Sequence, residues 1–123
     1  MRDKKENVIL DKSYAFSLRI VKLYKFLVEK KKEYVMSKQV LKSGTSVGAN
    51  VEEAVGAQTK KDFLTKINIA YKEARETHFW IRLLHDSQYI TKEYAVSSLA
   101  DCEEIERILG KIIATTKINL KNN

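Results

Sequence analysis

No proline occurs anywhere in the 123 residues, and glycine occurs four times. Tight turns draw on those two residues, and a β-sandwich or doubly wound sheet of this length needs many such turns. Without them the chain is expected to form long helices joined by short polar connections, an all-α protein. At 14.2 kDa it has the commonest size of one domain, and such a chain buries roughly two-thirds of its unfolded surface without metals or disulfides. Cys102 is the sole cysteine, which excludes an internal disulfide framework or cysteine-based zinc cluster and suits a reducing compartment. The N-terminal MRDKKENVILDKS has only the short apolar run Val8-Ile9-Leu10, so no signal peptide is expected. No stretch nears the roughly 18 apolar residues of a membrane span. The expectation is a soluble, cytoplasmic protein without a cofactor.

Four periodic segments place helices at about 11–31, 38–56, 60–87 and 92–117 of a single domain, residues 1–123. In the first, Phe16, Ile20, Leu23 and Leu27 form the core stripe, with Val21, Tyr24 and Val28 beside it. The second starts near Ser37, the expected N-cap, and carries Val40, Val47, Val51 and Ala54. Its interior Gly44 and Gly48 cost about 1 kcal/mol each relative to alanine, and close approach of another backbone is a physical reason to keep them. The third opens with a capping box, Thr59 paired with Asp62, and holds Phe63, Ile67, Ala70, Ala74, Thr77, Ile81 and Leu84 on one face. Thr91 caps the fourth, with Ala95, Cys102, Ile105, Leu109, Ile112 and Thr116 as its stripe and a fraying LKNN tail. Long helices with such spacing give an up-down-up-down, left-handed four-helix bundle.

The net charge of +7 is uneven. Residues 1–38 carry eleven Lys/Arg against five Asp/Glu, whereas residues 91–123 balance. Concentrated positive charge attracts polyanions, and each neutralised phosphate releases counterions. Lys12, Arg19, Lys22 and Lys25 on the first helix are the candidate phosphate contacts, with Arg2, Lys4 and Lys5 as a flexible arm. The plainer reading is that Lys30, Lys31 and Lys32 complement the helix dipole while the rest form a solvated face. No recognition helix, zinc finger or RNP pattern supports base-specific readout.

Catalytic constellations are mostly rejected. His78 and His85 share one side of the third helix but are too far apart to clamp one metal, and neither follows a Glu by three residues as the di-iron bundles require. Arg75 and Arg82 precede them by three, whereas helical HEPN-type ribonucleases use Arg-x4–6-His. The Gly44–Gly48 stretch lacks the lysine of a P-loop. Cys102 falls on a core face and reads as inert. One polar set remains: Ser46, Asn50 and Glu53 along the second helix, facing Arg75 and Arg82 on the third. A buried carboxylate needs a cation or several donors, so a structural network is expected, with a catalytic or ligand-binding carboxylate as the alternative.

The third helix also has apolar surplus. Ile69, Phe79, Trp80 and Leu83 lie away from its core stripe. Phe79 and Trp80 would each bury on the order of 150–250 Å² if covered. Neighbouring helices of the same bundle are one cover, and a homo-oligomeric interface is the expected one.

The stretch SGTSVGANVEEAVGAQTKKDFLTKINIAYKEARETHFWIRLL, residues 43–84, resembles the central motif of the 23S rRNA intervening-sequence protein family. The likeness rests on Ser46-x3-Asn50-x2-Glu53, then Lys60-Lys61-Asp62-Phe63, then Glu73-Ala74 and Glu76. It implies a bacterial four-helix bundle assembling into a ring, usually a pentamer, with no established enzymatic activity. Relatives accessory to diversity-generating retroelements engage nucleic acid and a reverse transcriptase. The resulting expectation is a non-enzymatic oligomer that binds RNA or DNA. The alternative is a protein–protein scaffold or toxin–antitoxin-like interaction module.

Overall fold

The structure is a computed structural model. It describes residues 4–122, the side chain of Lys5 excepted. The described residues form four helices and no strand: α1 (Lys4–Glu29), α2 (Met36–Val55), α3 (Lys60–Asp86) and α4 (Lys92–Asn122). Each helix packs on the next, α4 closes back on α1 along a thinner seam, and the backbones of the diagonal pairs stay apart. This is the arrangement of a four-helix bundle.

The outer helices are longer than the sequence periodicity suggests. α1 begins at Lys4 because Ile9 and Leu10 are buried, so its first turns are anchored by packing. Lys4 is therefore an exposed helical residue and not part of a free arm, while Arg2 and the side chain of Lys5 lie outside the described residues. Where a fraying LKNN tail is expected, α4 continues through Leu120 and Lys121 to Asn122, with Lys121 in its last turn complementing the dipole, and Asn123 lies outside the described residues. Neither Gly nor Pro stands there to stop it.

Ser37 is not the cap of α2. It is a buried residue inside the first turn, and the N-cap position, Val35, makes no side-chain capping bond. Glu33 does that work from outside the helix: its carboxylate accepts from the backbone N–H of Val35 at 3.1 Å, Met36 at 3.0 Å and Ser37 at 2.7 Å. Burial alone would raise this carboxyl's pKa, but the N–H groups of Met36, Ser37 and Val35 outweigh it and hold it below the usual range. α3 and α4 start conventionally. Thr59 Oγ1 accepts from Asp62 N–H at 3.0 Å, and Thr91 Oγ1 from Tyr94 N–H at 3.1 Å.

The core is the union of the four stripes. Phe16, Ile20, Leu23 and Leu27 of α1 meet Val40, Val47, Val51 and Ala54 of α2, with Ile67 to Leu84 and Ala95 to Ile112 completing it. Ser43 and Thr77 put one polar contact inside, their hydroxyls 2.9 Å apart between α2 and α3. The two interior glycines sit on the α1–α2 interface. A Cβ on Gly48 would stand 3.2 Å from the backbone oxygen of Ser13 and 2.9 Å from Ser17 Oγ, the expected close backbone approach. At Gly44 the neighbour is instead a side chain, Ile20, with Cγ1 2.7 Å and Cγ2 2.8 Å from such a Cβ.

Candidate functional site

The four cations singled out on α1 divide into two pairs. Lys12 Nζ lies 3.2 Å from Glu104 Oε1. Arg19 donates to Asp101 Oδ2 at 2.7 Å and to Ser97 Oγ at 2.9 Å, and its guanidinium stacks 4.9 Å from the centre of the Tyr94 ring. Burial works against the charge of Arg19, but Asp101 and Tyr94 outweigh it and raise its pKa. Both cations thus face the acidic middle of α4. Lys22 and Lys25, further along α1, are exposed and have no carboxylate within ion-pair distance among the described residues.

Beyond them the positive charge continues around one end of the molecule. Lys30 and Lys31 donate their N–H groups to Phe26 O at 2.9 and 3.4 Å, closing α1, and Glu33 N–H returns to Leu27 O at 2.9 Å. Lys32 between them adopts a φ of 55°, the left-handed region that glycine occupies more cheaply. Folding alone would favour glycine there, and the chain keeps a lysine. Lys30, Lys31, Lys32 and Lys38 are all exposed and outside any ion pair among the described residues. Lys31 Nζ sits 5.9 Å from the ring centre of Phe26. Phe26, Tyr34 and Val35 expose apolar surface among these cations. Of the nearby acids, Glu33 is committed to the α2 cap, and Asp86 lies 3.4 Å from His85 Nδ1, while Glu29 and Glu93 are exposed.

The polar set on α2 and α3 is rearranged relative to the expected network. Glu53 is exposed and takes its cation from Lys66, at 2.7 Å, nearly two turns into α3. Arg75 is exposed, and Arg82 finds its partners on its own helix, with its guanidinium 6.0 Å from the centre of the Phe79 ring. Its Nε donates to His78 Nδ1 at 3.1 Å, while His78 Nε2 lies 2.9 Å from Glu103 Oε2. The Arg82 N–H makes Nδ1 the accepting nitrogen of the ring, with Nε2 facing the Glu103 carboxylate. Asn50 Nδ2 donates to the Ser46 carbonyl at 2.8 Å. Burial raises the Glu73 pKa, with Glu76 adding to it and Lys42 and Ser46 opposing. An arginine one helix away from a carboxylate was a plausible partner by pattern, but helix rotation placed lysine there.

On the outer face of α3, Ile69, Phe79 and Leu83 are 38%, 45% and 37% exposed. Trp80 is half-buried, meets Phe79 edge-on with ring centres 5.0 Å apart, and donates Nε1–H to Glu76 at 3.0 Å. Cys102 is buried, its Sγ donating to the Ala74 carbonyl at 3.2 Å, and burial followed by Glu106 pushes its thiol far up, away from a reactive thiolate. No cluster of His, Cys, Asp or Glu among the described residues has metal-site geometry. No described helix is long and apolar enough to cross a membrane.

The signals missed by sequence reasoning are those without periodicity. Glu33 stands in a connection, and Asp101, Glu103 and Glu104 lie outside the core stripe of α4, where periodicity assigns no partner.

The family model of the 23S rRNA-intervening sequence protein matches residues 5–111. A solved structure from Bacteroides thetaiotaomicron VPI-5482, a protein with unknown function from the S23 ribosomal protein family, is 55% identical with a TM-score of 0.88, covering 89% of this chain and 98% of that one. No match is found among curated proteins.

Proposed function

This chain belongs to the 23S rRNA-intervening sequence protein family, and on that premise we propose that it is a non-enzymatic, nucleic-acid-binding protein that works as a homo-oligomer in the cytoplasm. The observation that carries the reading is the charge left over after ion pairing: Lys22, Lys25, Lys30, Lys31, Lys32 and Lys38 lie toward one end of the bundle without carboxylate partners among the described residues. Phosphates neutralise such a cluster and release condensed counterions. Lys12 and Arg19 contribute less to this reading than the sequence suggests, because Glu104 and Asp101 already hold them.

Binding to mixed-sequence RNA, followed against salt, tests the proposal. Each phosphate contact adds roughly 0.7–0.9 to the slope of log K against log salt. A triple Lys30, Lys31, Lys32→Ala variant is expected to lower that slope by about two to three, whereas a Lys12→Ala, Arg19→Ala variant leaves it nearly unchanged. A flat salt response in the unaltered protein, or no binding at low salt, overturns the proposal.

The second reading, a protein–protein module, is favoured by one observation, the exposed Ile69, Phe79 and Leu83 with half-buried Trp80. We assign that patch to contact between copies of this chain in an up-down-up-down bundle that assembles as a ring, with five copies the family expectation. A ring multiplies weak phosphate contacts by avidity.

A further inference from the structure

Two exposed apolar faces lie on different sides of the bundle. One is the α3 ridge of Phe79, Trp80 and Leu83, and the other belongs to α1, where Tyr14 is 62% and Leu18 50% exposed. α1 and α3 stand diagonally across the bundle, so a single neighbour cannot cover both faces. Beside Tyr14 the surface sinks between α1 and α2 into two adjoining hollows of about 620 and 390 Å³, which share Tyr14 and Glu52. Ser17, Gly48 and Ala49 keep the floor low, because none has a side chain large enough to fill it. Asp11 and Glu52 line this groove and no cation does, although the first third of the chain is strongly basic. Both acids are exposed and outside any ion pair among the described residues. Around the α3 ridge the free charge has the opposite sign. Lys72 and Arg75, on the same outer face as Phe79, are exposed and equally unpaired. Glu76, the acid beside them, accepts from Trp80.

We propose, building on the contact between copies assigned above, that the α3 ridge of one copy seats in the α1–α2 groove of the next. The projecting aromatic pair meets the hollow that small residues leave, and Lys72 and Arg75 meet Asp11 and Glu52. The two symmetric alternatives lack this fit. Ridge against ridge sets the same cations facing each other, groove against groove sets the same acids facing each other, and like charges across an interface oppose association. Either alternative also leaves the groove unfilled. A polyanion is turned away from the groove by its two carboxylates. The contact is therefore heterologous: each copy gives its ridge to one neighbour and its groove to another. Such association does not stop at two copies, and it closes into a ring where the rotation per contact allows.

The test uses two altered chains, each with one face spoiled: Tyr14→Ala, Leu18→Ala in the groove, and Phe79→Ala, Leu83→Ala on the ridge. All four side chains are exposed, so the fold should survive, and circular dichroism checks it. Loss of one central anchor typically weakens an interface at least about thirtyfold. Light scattering at micromolar concentration, where the unaltered protein assembles, should therefore find each altered chain alone as a monomer. Mixed in equal amounts, the two should form a complex of one copy of each and grow no further. The groove-altered chain still has its ridge, and the ridge-altered chain still has its groove. Asp11→Lys, Glu52→Lys should block assembly as the groove truncation does. A groove variant of either kind that keeps the full mass, or a mixture that stays monomeric, overturns the pairing of ridge with groove and leaves the contact between copies standing. A monomeric unaltered protein overturns both.

Discussion

Gly44→Ala gives a sharp test of how α1 and α2 fit together. The added methyl would lie 2.7 Å from Ile20 Cγ1, 2.8 Å from Cγ2 and 3.1 Å from Cβ, all inside van der Waals contact. Ile20 is wholly buried. A β-branched side chain in a helix is held in essentially one χ1 rotamer, and its Cβ cannot rotate away at all. The methyl is therefore accommodated only by separating the two helices, an overpacking cost of about 1–3 kcal/mol. Against it stands the helix-propensity gain of alanine over glycine, about 1 kcal/mol. Gly110→Ala is the matched control, because a Cβ there meets nothing within 4 Å, so it should show the propensity gain alone. The difference between the two variants isolates the clash, and Gly44→Ala should be the less stable by about 1–3 kcal/mol. Urea unfolding at one fixed protein concentration measures both, since assembly would otherwise shift the midpoint. Combining Gly44→Ala with Ile20→Ala should abolish the penalty, a coupling visible in the double-mutant cycle. If Gly44→Ala and Gly110→Ala prove equally stabilising, the packing argument is refuted.

Glu33→Gln removes the charge from the α2 cap and should cost about 1–2 kcal/mol, the usual range for losing a cap. Because the folded-state pKa of Glu33 is lowered, its contribution is complete above the unfolded carboxyl value and is lost as pH falls through the folded one. The gap between wild type and Glu33→Gln should therefore close in acid, and a gap independent of pH would exclude the capping role. Lys32→Gly relieves the left-handed backbone and should leave stability unchanged or raise it by up to about 1 kcal/mol, while weakening RNA binding; a large loss of stability would mean that Lys32 serves the fold. The paired Phe79→Ala, Leu83→Ala variant should lower the mass seen by light scattering at micromolar concentration without loss of helicity. A monomeric unaltered protein would remove the α3 patch as a contact between copies.

The helical class and the buried stripes were legible because both depend on local rules. Absent prolines leave helices uninterrupted, and a period of 3.6 puts Ile67, Ala74, Ile81 and Leu84 on one face whatever they pack against. The capping threonines Thr59 and Thr91 were readable for the same reason, since a cap is settled within four residues. The glycines told of a close approach, though not that Gly44 would meet Ile20 and Gly48 the backbone of Ser13.

Charge was legible only as a sum. That the first third of the chain is strongly basic follows from residue order alone, because net charge needs no geometry. Which of those cations stay free was decided by the tertiary structure, which sets Asp101 and Glu104 of α4 against Arg19 and Lys12 and leaves the lysines from Lys22 onward facing solvent. The same holds for Glu53, paired with Lys66 and not with an arginine, and for His78, held between Glu103 and Arg82. Periodicity gives the face of a helix on which a residue stands. The rotation and offset of each helix against its neighbours give the partner, and those follow from the packing of all four stripes at once.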